Sequence, residues 1–144
     1  LHDKKYKGKP VIIQVMGSWC PNCMDETKTL AALYKKYNPK GLEIIALAYE
    51  KTNDSIKARQ VVTRLKKHYG VTYEMLITGK TGKDEASKSL HFLNGIMAFP
   101  TTIYIDKKGN IRKIYTGFSG PATGMHYERM YAEMNRFIVQ LLNE

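Results

Sequence analysis

A β-branched run that ends at a closely spaced pair of cysteines is the feature that most constrains the fold of this chain. Residues 11–16 are almost all large and apolar and are bounded by a proline and a glycine, which predicts a strand buried on both faces. Over residues 21–37 apolar side chains recur at helical spacing until another proline and glycine interrupt them. A strand followed at once by a helix is a βα unit, and Cys20 and Cys23 lie at its junction.

The middle of the chain predicts two further βα pieces. A second apolar strand is predicted over residues 42–49, and either Asn53 or Asp54 is suited to cap the helix that follows. A short strand over residues 71–77 and a brief helix over residues 84–93 complete this part, with glycines between them. The residues that we expect the first of these helices to turn inward are Ile56, Val61, Val62, Leu65 and Tyr69.

The last part of the chain predicts a β-hairpin followed by a long helix. Strands are predicted over residues 101–105 and 111–115, because the turn between them carries Gly109. A helix is predicted over residues 125–142, with an apolar stripe that packs on the sheet. That stripe consists of Tyr127, Met130, Met134, Phe137, Ile138 and Leu141.

This order of elements indicates an α/β fold. We expect a central mixed sheet with helices on both faces and a βα insertion before the hairpin. At 144 residues the chain has the length of one domain, so residues 1–144 are interpreted as a single domain. Only residues 1–9 precede the first strand.

Composition and charge exclude several classes of protein. No apolar run approaches the roughly 20 residues that a membrane-spanning helix needs. The 23 Lys and Arg residues outnumber the 13 Asp and Glu residues and give a net charge of +10. They are scattered and form no stripe interleaved with aromatic residues, so we expect no nucleic-acid partner. Two cysteines are too few for a disulfide scaffold.

The spacing of the two cysteines favours redox chemistry. Disulfide exchange needs an attacking thiolate and a second thiol that resolves the mixed disulfide. Cys20 lies at the start of the predicted helix, where unpaired backbone N–H groups and the helix dipole favour a thiolate, so we assign it as the nucleophile. Cys23 follows one helical turn later and is the resolving thiol. Asn22 between them is neutral, which predicts a moderate reduction potential.

The alternative for such a pair is half of a zinc site, which needs a second pair of Cys or His ligands. The sequence has no further cysteine, and its histidines are isolated from one another. These histidines are His2, His68, His91 and His126. We therefore expect no metal and no cofactor other than the redox-active Cys20–Cys23 disulfide.

Two motifs together resemble the thioredoxin superfamily. The first is Trp19-Cys20-Pro21-Asn22-Cys23 after a buried strand, and the second is Phe99-Pro100-Thr101-Thr102 at the opening of the hairpin. Three further features resemble those of TlpA/ResA-type envelope reductases of the redoxin group. They are Glu26, the long insertion before Pro100 and the run Pro-Thr-Thr-Ile-Tyr-Ile-Asp-Lys-Lys-Gly-Asn. The resemblance covers essentially the whole chain and is most specific around the cysteines and the hairpin.

The resemblance implies roles for residues near the cysteines. Pro100 would follow a cis peptide bond and leave nearby backbone groups free to pair with an extended substrate; the alternative is an ordinary proline at a strand entry. Glu26 would exchange a proton with Cys23, although an acidic residue near a helix N-terminus is also favoured for its charge alone. The residues that would contact the substrate are Trp19, Phe99 and Thr101. For Trp19, the alternative is a place in the core.

Gln14 and Lys28 depart from the family pattern. Thioredoxin itself has a buried Asp at the position of Gln14, and an amide side chain cannot take a proton. Either Glu26 takes over that role or Cys23 is deprotonated through water, so the sequence leaves the proton route open. Lys28 replaces a proline that is usual shortly after the acidic residue, which removes a kink from the helix.

The leading interpretation is a thiol-disulfide oxidoreductase that acts as a reductant toward protein cysteines or disulfides. The resemblance implies the bacterial periplasm or cell envelope and an upstream thiol electron donor. Because thioredoxin-like envelope proteins usually carry more residues before the first strand, it also implies that this chain is the C-terminal part of a longer precursor, with envelope anchoring through the missing N-terminal segment. We expect a monomer. A disulfide-donating oxidase is an alternative, because the residues between the cysteines tune the potential over roughly 150 mV in this superfamily.

Two other functions fit the sequence less well. A peroxidase of the redoxin group needs a Pro and a Thr or Ser before its reactive cysteine, and this chain has Ile13 and Gly17 at those positions. A non-catalytic binding module with a thioredoxin fold has no need of Cys20, Cys23 and Pro100, all of which are present.

Overall fold

The computed structural model describes residues 3–90 and 98–144, and its central feature is a five-stranded sheet. The strands are β1 (Val11–Met16), β2 (Glu43–Ala48), β3 (Glu74–Ile77), β4 (Thr101–Ile105) and β5 (Ile111–Thr116). The helices are α1 (Pro21–Tyr37), α2 (Ser55–Tyr69), α3 (Gly82–Ser89) and α4 (Met125–Asn143). Within the described ranges, no helix is both long and apolar enough to cross a lipid bilayer.

Strand β1 lies at the centre of the sheet, whose strand order is β3-β2-β1-β4-β5. It pairs in parallel with β2 and antiparallel with β4. Outside these, β3 is parallel to β2 and β5 is antiparallel to β4. All six residues of β1 are buried, as expected for a strand with neighbours on both sides and helices on both faces. The predicted mixed sheet is therefore confirmed.

Helices cover both faces of this sheet. On one face, buried side chains of α1, α2 and α4 form the larger apolar cluster, to which β1 contributes Ile12 and Met16. On the other face, α3 and the residues before β1 pack with Ile13 and Val15. Because successive side chains of a strand point to opposite faces, β1 supplies both clusters in alternation.

The cap of α2 follows the sequence signals. The Oδ1 atom of Asp54 accepts hydrogen bonds from the backbone N–H groups of Ile56 and Lys57 at 2.9 and 3.2 Å. Of the two candidate caps, Asp54 is therefore the N-cap. Gly70 ends the helix with a φ of +67°, a backbone conformation that glycine adopts at no steric cost.

Ile56 was expected to face inward, and that prediction is wrong, because its side chain is 69% exposed. The buried residues of α2 are Ala58, Val62 and Leu65, which recur at helical spacing. Ile56 precedes the first of them by two residues, or about 200° around the helix, so it points away from the buried stripe.

Two element boundaries also differ from the prediction. Strand β3 begins at Glu74 rather than at Val71, because the N–H of Val71 still bonds to the carbonyl of Lys66 at 2.9 Å and closes α2. Helix α3 spans Gly82–Ser89 instead of beginning at residue 84. Residues 91–93, which the prediction also included in this helix, lie outside the described residues.

Substitutions on the buried and the exposed faces of the helices are expected to differ in their effect on the free energy of unfolding. Ile138 on α4 is 0% exposed, whereas Ile56 on α2 is 69% exposed. We expect Ile138→Ala to lower the free energy of unfolding by about 2–5 kcal/mol, because it leaves a cavity in the larger cluster. The same change at Ile56 is expected to alter it by no more than about 0.5 kcal/mol. Urea denaturation of both variants checks this; equal losses would contradict the assigned core.

Candidate active site

Cys20 lies at the junction of β1 and α1, as the sequence predicts. It is the N-cap of α1, with extended backbone dihedrals of φ −101° and ψ 113°. Its Sγ atom accepts a hydrogen bond from the backbone N–H of Cys23 at 3.3 Å. Both cysteines are free thiols in this structure. A sulfur at an N-cap meets N–H groups that have no partner within the helix, and these stabilise negative charge on it.

The two thiols differ in burial. Cys20 is 7% exposed and Cys23 is 0% exposed. Burial raises the pKa of the Cys23 thiol above its usual range; interactions with Cys20 and Glu26 raise it further, while a backbone contact at Gly17 lowers it. Cys23 therefore holds its proton until a base removes it, as expected of a resolving thiol.

The loop before β4 closes over the thiol of Cys20. The Phe99–Pro100 peptide bond is cis, as the resemblance implied, and the Cys20 thiol donates to the carbonyl of Phe99 at 3.7 Å. The hydroxyl of Thr101 donates to the carbonyl of Ala98 at 2.7 Å, and Thr101 is only 2% exposed. The Phe99 carbonyl thus meets the Cys20 thiol, and Pro100 follows it directly, whereas the Thr101 side chain bonds within this segment and does not face solvent.

Trp19 precedes Cys20 and lies partly at the surface rather than in the core, since it is 37% exposed. Its indole N–H donates to the carbonyl of Tyr49 at 2.9 Å, and its ring meets that of Phe99 edge-on with centroids 5.1 Å apart. The Nζ atom of Lys51 lies 5.0 Å from the ring centroid. The ring also lies so close to Gly17 that any side chain there would overlap it.

Glu26 lies inside the protein and is 2% exposed, so it is not the surface acid that the sequence left as an alternative. The hydroxyl of Thr102 donates to its Oε2 atom at 2.8 Å. Burial raises the pKa of Glu26 to about 7, although interactions with Thr102 and Gln14 act in the opposite direction. A buried carboxyl group that titrates near neutral pH is suited to take and return the proton of Cys23.

Gln14 is fully buried beneath α1. Its Nε2 atom donates to the hydroxyl of Thr27 at 3.2 Å and to the carbonyl of Cys23 at 3.4 Å. The Thr27 hydroxyl in turn donates to the carbonyl of Cys23 at 2.8 Å. These bonds fasten the first turns of α1 to β1, so Gln14 has a positioning role, and its amide cannot take a proton.

Sequence analysis missed the carboxylate that holds the loop before Cys20. Glu50 lies two residues after the end of β2 and is 5% exposed. It accepts hydrogen bonds from the backbone N–H of Ser18 at 2.8 Å and from the Ser18 hydroxyl at 2.5 Å. Because β1 and β2 are parallel, the segments that follow them meet at one edge of the sheet. An acidic residue directly after a predicted strand was the available signal.

The comparison with known families agrees with this architecture. A model of the Redoxin family matches residues 1–129. The chain belongs to the redoxin family. It is 32% identical over 108 residues to the thiol-disulfide oxidoreductase ResA of Bacillus thuringiensis subsp. konkukian and 30% identical over 116 residues to that of Halalkalibacterium halodurans. These matches cover 75% and 79% of this chain but only 55% and 57% of the relatives, so the redoxin chain spans little more than half of their length.

Solved structures share the fold of this redoxin chain. A thiol:disulfide interchange protein from Chlorobium tepidum TLS matches with a TM-score of 0.68 and 22% identity, over 94% of this chain and 81% of that one. A thiol-disulfide isomerase from Corynebacterium glutamicum matches with a TM-score of 0.69 and 16% identity, over 100% and 87%. These likenesses establish a thioredoxin-like fold.

The burial of Glu26 predicts a specific pH dependence of stability. Its pKa is about 7 in the folded chain against an ordinary value of 4.5. Between these two pH values the folded state binds more protons than the unfolded state, so stability falls as the pH rises through this window. Glu26→Gln removes that loss, and we expect it to stabilise the reduced protein at pH 8 by roughly 3 kcal/mol or less, with little effect near pH 5.

Urea denaturation of the reduced wild-type and Glu26→Gln proteins at several pH values measures this difference. Subtracting one curve from the other cancels the titration of every other carboxylate. An equal effect of the substitution at pH 5 and pH 8 would contradict a raised pKa for Glu26.

Proposed function

We propose that this chain catalyses thiol-disulfide exchange with protein cysteines and acts as a reductant. The observation that carries the proposal is the placement of Cys20 at a helix N-cap, 3.3 Å from the N–H of the fully buried Cys23. This geometry gives one thiol for attack and one for resolution. The ResA relatives bear the name thiol-disulfide oxidoreductase, which supports the same reaction class.

In the first step, the Cys20 thiolate attacks one sulfur of a substrate disulfide. A bond forms between Cys20 Sγ and that sulfur, the substrate disulfide breaks, and the second substrate sulfur leaves as a thiolate that takes a proton from solvent. Cys20 Sγ lies 3.7 Å from the Phe99 carbonyl. An extended substrate segment that pairs with the backbone of this loop would therefore bring its disulfide to the nucleophile.

In the second step, Cys23 gives its proton to Glu26 and attacks Cys20. The Cys20–Cys23 disulfide forms, the mixed disulfide breaks, and the displaced substrate sulfur leaves as a thiolate that takes a proton from solvent, so both substrate sulfurs are reduced. Two electrons have then passed from the chain to the substrate, and an upstream thiol donor restores the dithiol. The two sulfurs and one carboxylate are sufficient for this cycle, so we propose no metal and no further cofactor.

The proposed setting is the periplasm or cell envelope of a bacterium, on the basis of the sequence resemblance to envelope reductases. A reductant in an oxidising compartment depends on a supply of electrons from a thiol donor, because disulfides persist there. We propose proteins with cysteines or disulfides as the substrates and a monomer as the active form.

The equilibrium reduction potential of the Cys20–Cys23 pair tests the proposed direction of electron flow. Trp19 adjoins Cys20, so its fluorescence is expected to follow the redox state in glutathione buffers. We expect a potential closer to about −270 mV, as in thioredoxin, than to about −120 mV, as in the strong oxidant DsbA. A value at the oxidising end would indicate a disulfide donor, and no redox transition at all would leave a binding module.

Trapping of a mixed disulfide tests the roles of the two cysteines. Cys23→Ser removes the resolving thiol, so its Cys20 is expected to remain joined to a disulfide-containing substrate such as insulin. Cys20→Ser is the matched control, because it keeps one buried cysteine and loses the nucleophile. Non-reducing electrophoresis and mass spectrometry measure the adducts; equal trapping by both variants would refute the assignment.

A further inference from the structure

A small cavity lies beside Glu26, between the sheet and α4, with a volume of about 20 Å³. Thr102 and Tyr104 of β4 pair across the ladder with Tyr115 and Lys113 of β5. Directly paired residues share a face of the sheet, so these four side chains form the floor of the cavity. The α4 side chains above it are Met130, Glu133, Met134 and Phe137.

One oxygen of Glu26, which is among the residues that line this cavity, is left without a hydrogen bond in the described part of the chain. Its Oε2 atom accepts the hydrogen bond of Thr102, whereas its Oε1 atom is buried and bonds to no group among the described residues. Buried polar atoms in folded proteins are nearly always satisfied by protein or by ordered water. A cavity needs at least about 10–15 Å³ to hold one water molecule, and this one has about 20 Å³.

The cavity borders solvent at the edge strand β5. Tyr115 is 37% exposed, and Lys113 and Glu133 are half-buried, so polar groups lead from the cavity to the surface. The thiol of Cys23, three residues before Glu26 on α1, is by contrast 0% exposed. Polar side chains that line the cavity thus reach solvent, and the cysteines are not among its lining residues.

Titratable groups from several elements surround Glu26. Cys23 belongs to the same helix, and burial followed by the charge of Glu26 raises the pKa of both Tyr73 and Tyr104. These two hydroxyl groups consequently remain proton donors at neutral pH. The other titratable or charged groups at the cavity are Lys113 and Tyr115 from β5 and Glu133 from α4.

We propose that this cavity binds one water molecule, hydrogen-bonded to Glu26 Oε1, and that the water carries protons between Glu26 and solvent at the β5 edge. The inference extends the proposed function, because it concerns how the proton taken from Cys23 leaves the interior. The O–H bond of the carboxylic acid breaks, the water passes a proton outward, and the carboxylate is restored with no change in oxidation state. The sulfur chemistry and the proton exit thus use different sides of Glu26.

Filling the cavity tests the route without any disulfide exchange. The signal of the Glu26 side-chain carboxyl carbon, labelled with carbon-13, is followed by NMR through its titration in the reduced protein. Met130→Phe and Met134→Phe each place a larger apolar side chain above the cavity. We expect them to slow the exchange of the Glu26 proton with solvent by at least about tenfold, which broadens or splits the signal near its midpoint.

Two control variants separate blockage from general disturbance of the fold. Met125→Phe makes the same change on the same helix at a side chain that is 72% exposed, and it should leave the exchange rate unaltered. Met134→Ala enlarges the cavity instead of filling it, so exchange should be no slower than in wild type. Unchanged exchange in a folded Met130→Phe or Met134→Phe variant would overturn the proposed route.

A high-resolution crystal structure of the reduced wild-type protein gives a second, independent measurement. We expect an ordered water molecule within about 3.2 Å of Glu26 Oε1. No water at that position would overturn the proposal even if neither Phe variant folds. Because neither measurement needs turnover, a failure here is distinguishable from a failure of the thiol-disulfide exchange reaction, which the potential and the trapping experiment test.

Discussion

The pairing of β1 with a parallel neighbour on one side and an antiparallel neighbour on the other is the constraint on which the site depends. Because β2 runs parallel to β1, Glu50 after β2 lies at the edge where β1 ends and can hold Ser18. Because β4 runs antiparallel, its first residues lie at that same edge, which brings the carbonyl of Phe99 to 3.7 Å from Cys20 Sγ. Three segments that are distant in sequence therefore converge on one sulfur.

Helix α1 divides the chemistry between an accessible end and a buried side. Its N-cap presents Cys20, while its inward side carries Cys23 and Glu26, which are 0% and 2% exposed. Burial disfavours the charged form of both groups and raises both pKa values. The fold gives up stability at alkaline pH, where Glu26 is ionised inside the protein.

Much of this architecture was predictable because it rests on local patterns. The apolar run of β1, the helical spacing of α1 and the glycine of the hairpin turn each have one dominant structural solution, and the structure confirms them. Ile56 was misplaced because apolar character alone does not fix which side of a helix is buried. Glu50 and Thr102 were given no role, because their importance comes from strand register: Thr102 pairs with Gln14 across the β1–β4 ladder, and that register is a property of the assembled sheet.

The sequence by itself determined the fold class, the junction of strand and helix at Cys20, and the chemical identity of the two thiols, because spacing and residue type are local. Only the tertiary structure decided that Glu26 is buried, that Thr102 donates to one of its oxygens, and that a cavity of about 20 Å³ adjoins it. Those properties depend on the packing of α1 and α4 against β4 and β5. Helix α1 is far from the other three elements in the chain. A carboxyl group acquires a pKa near 7 only when such packing removes it from water.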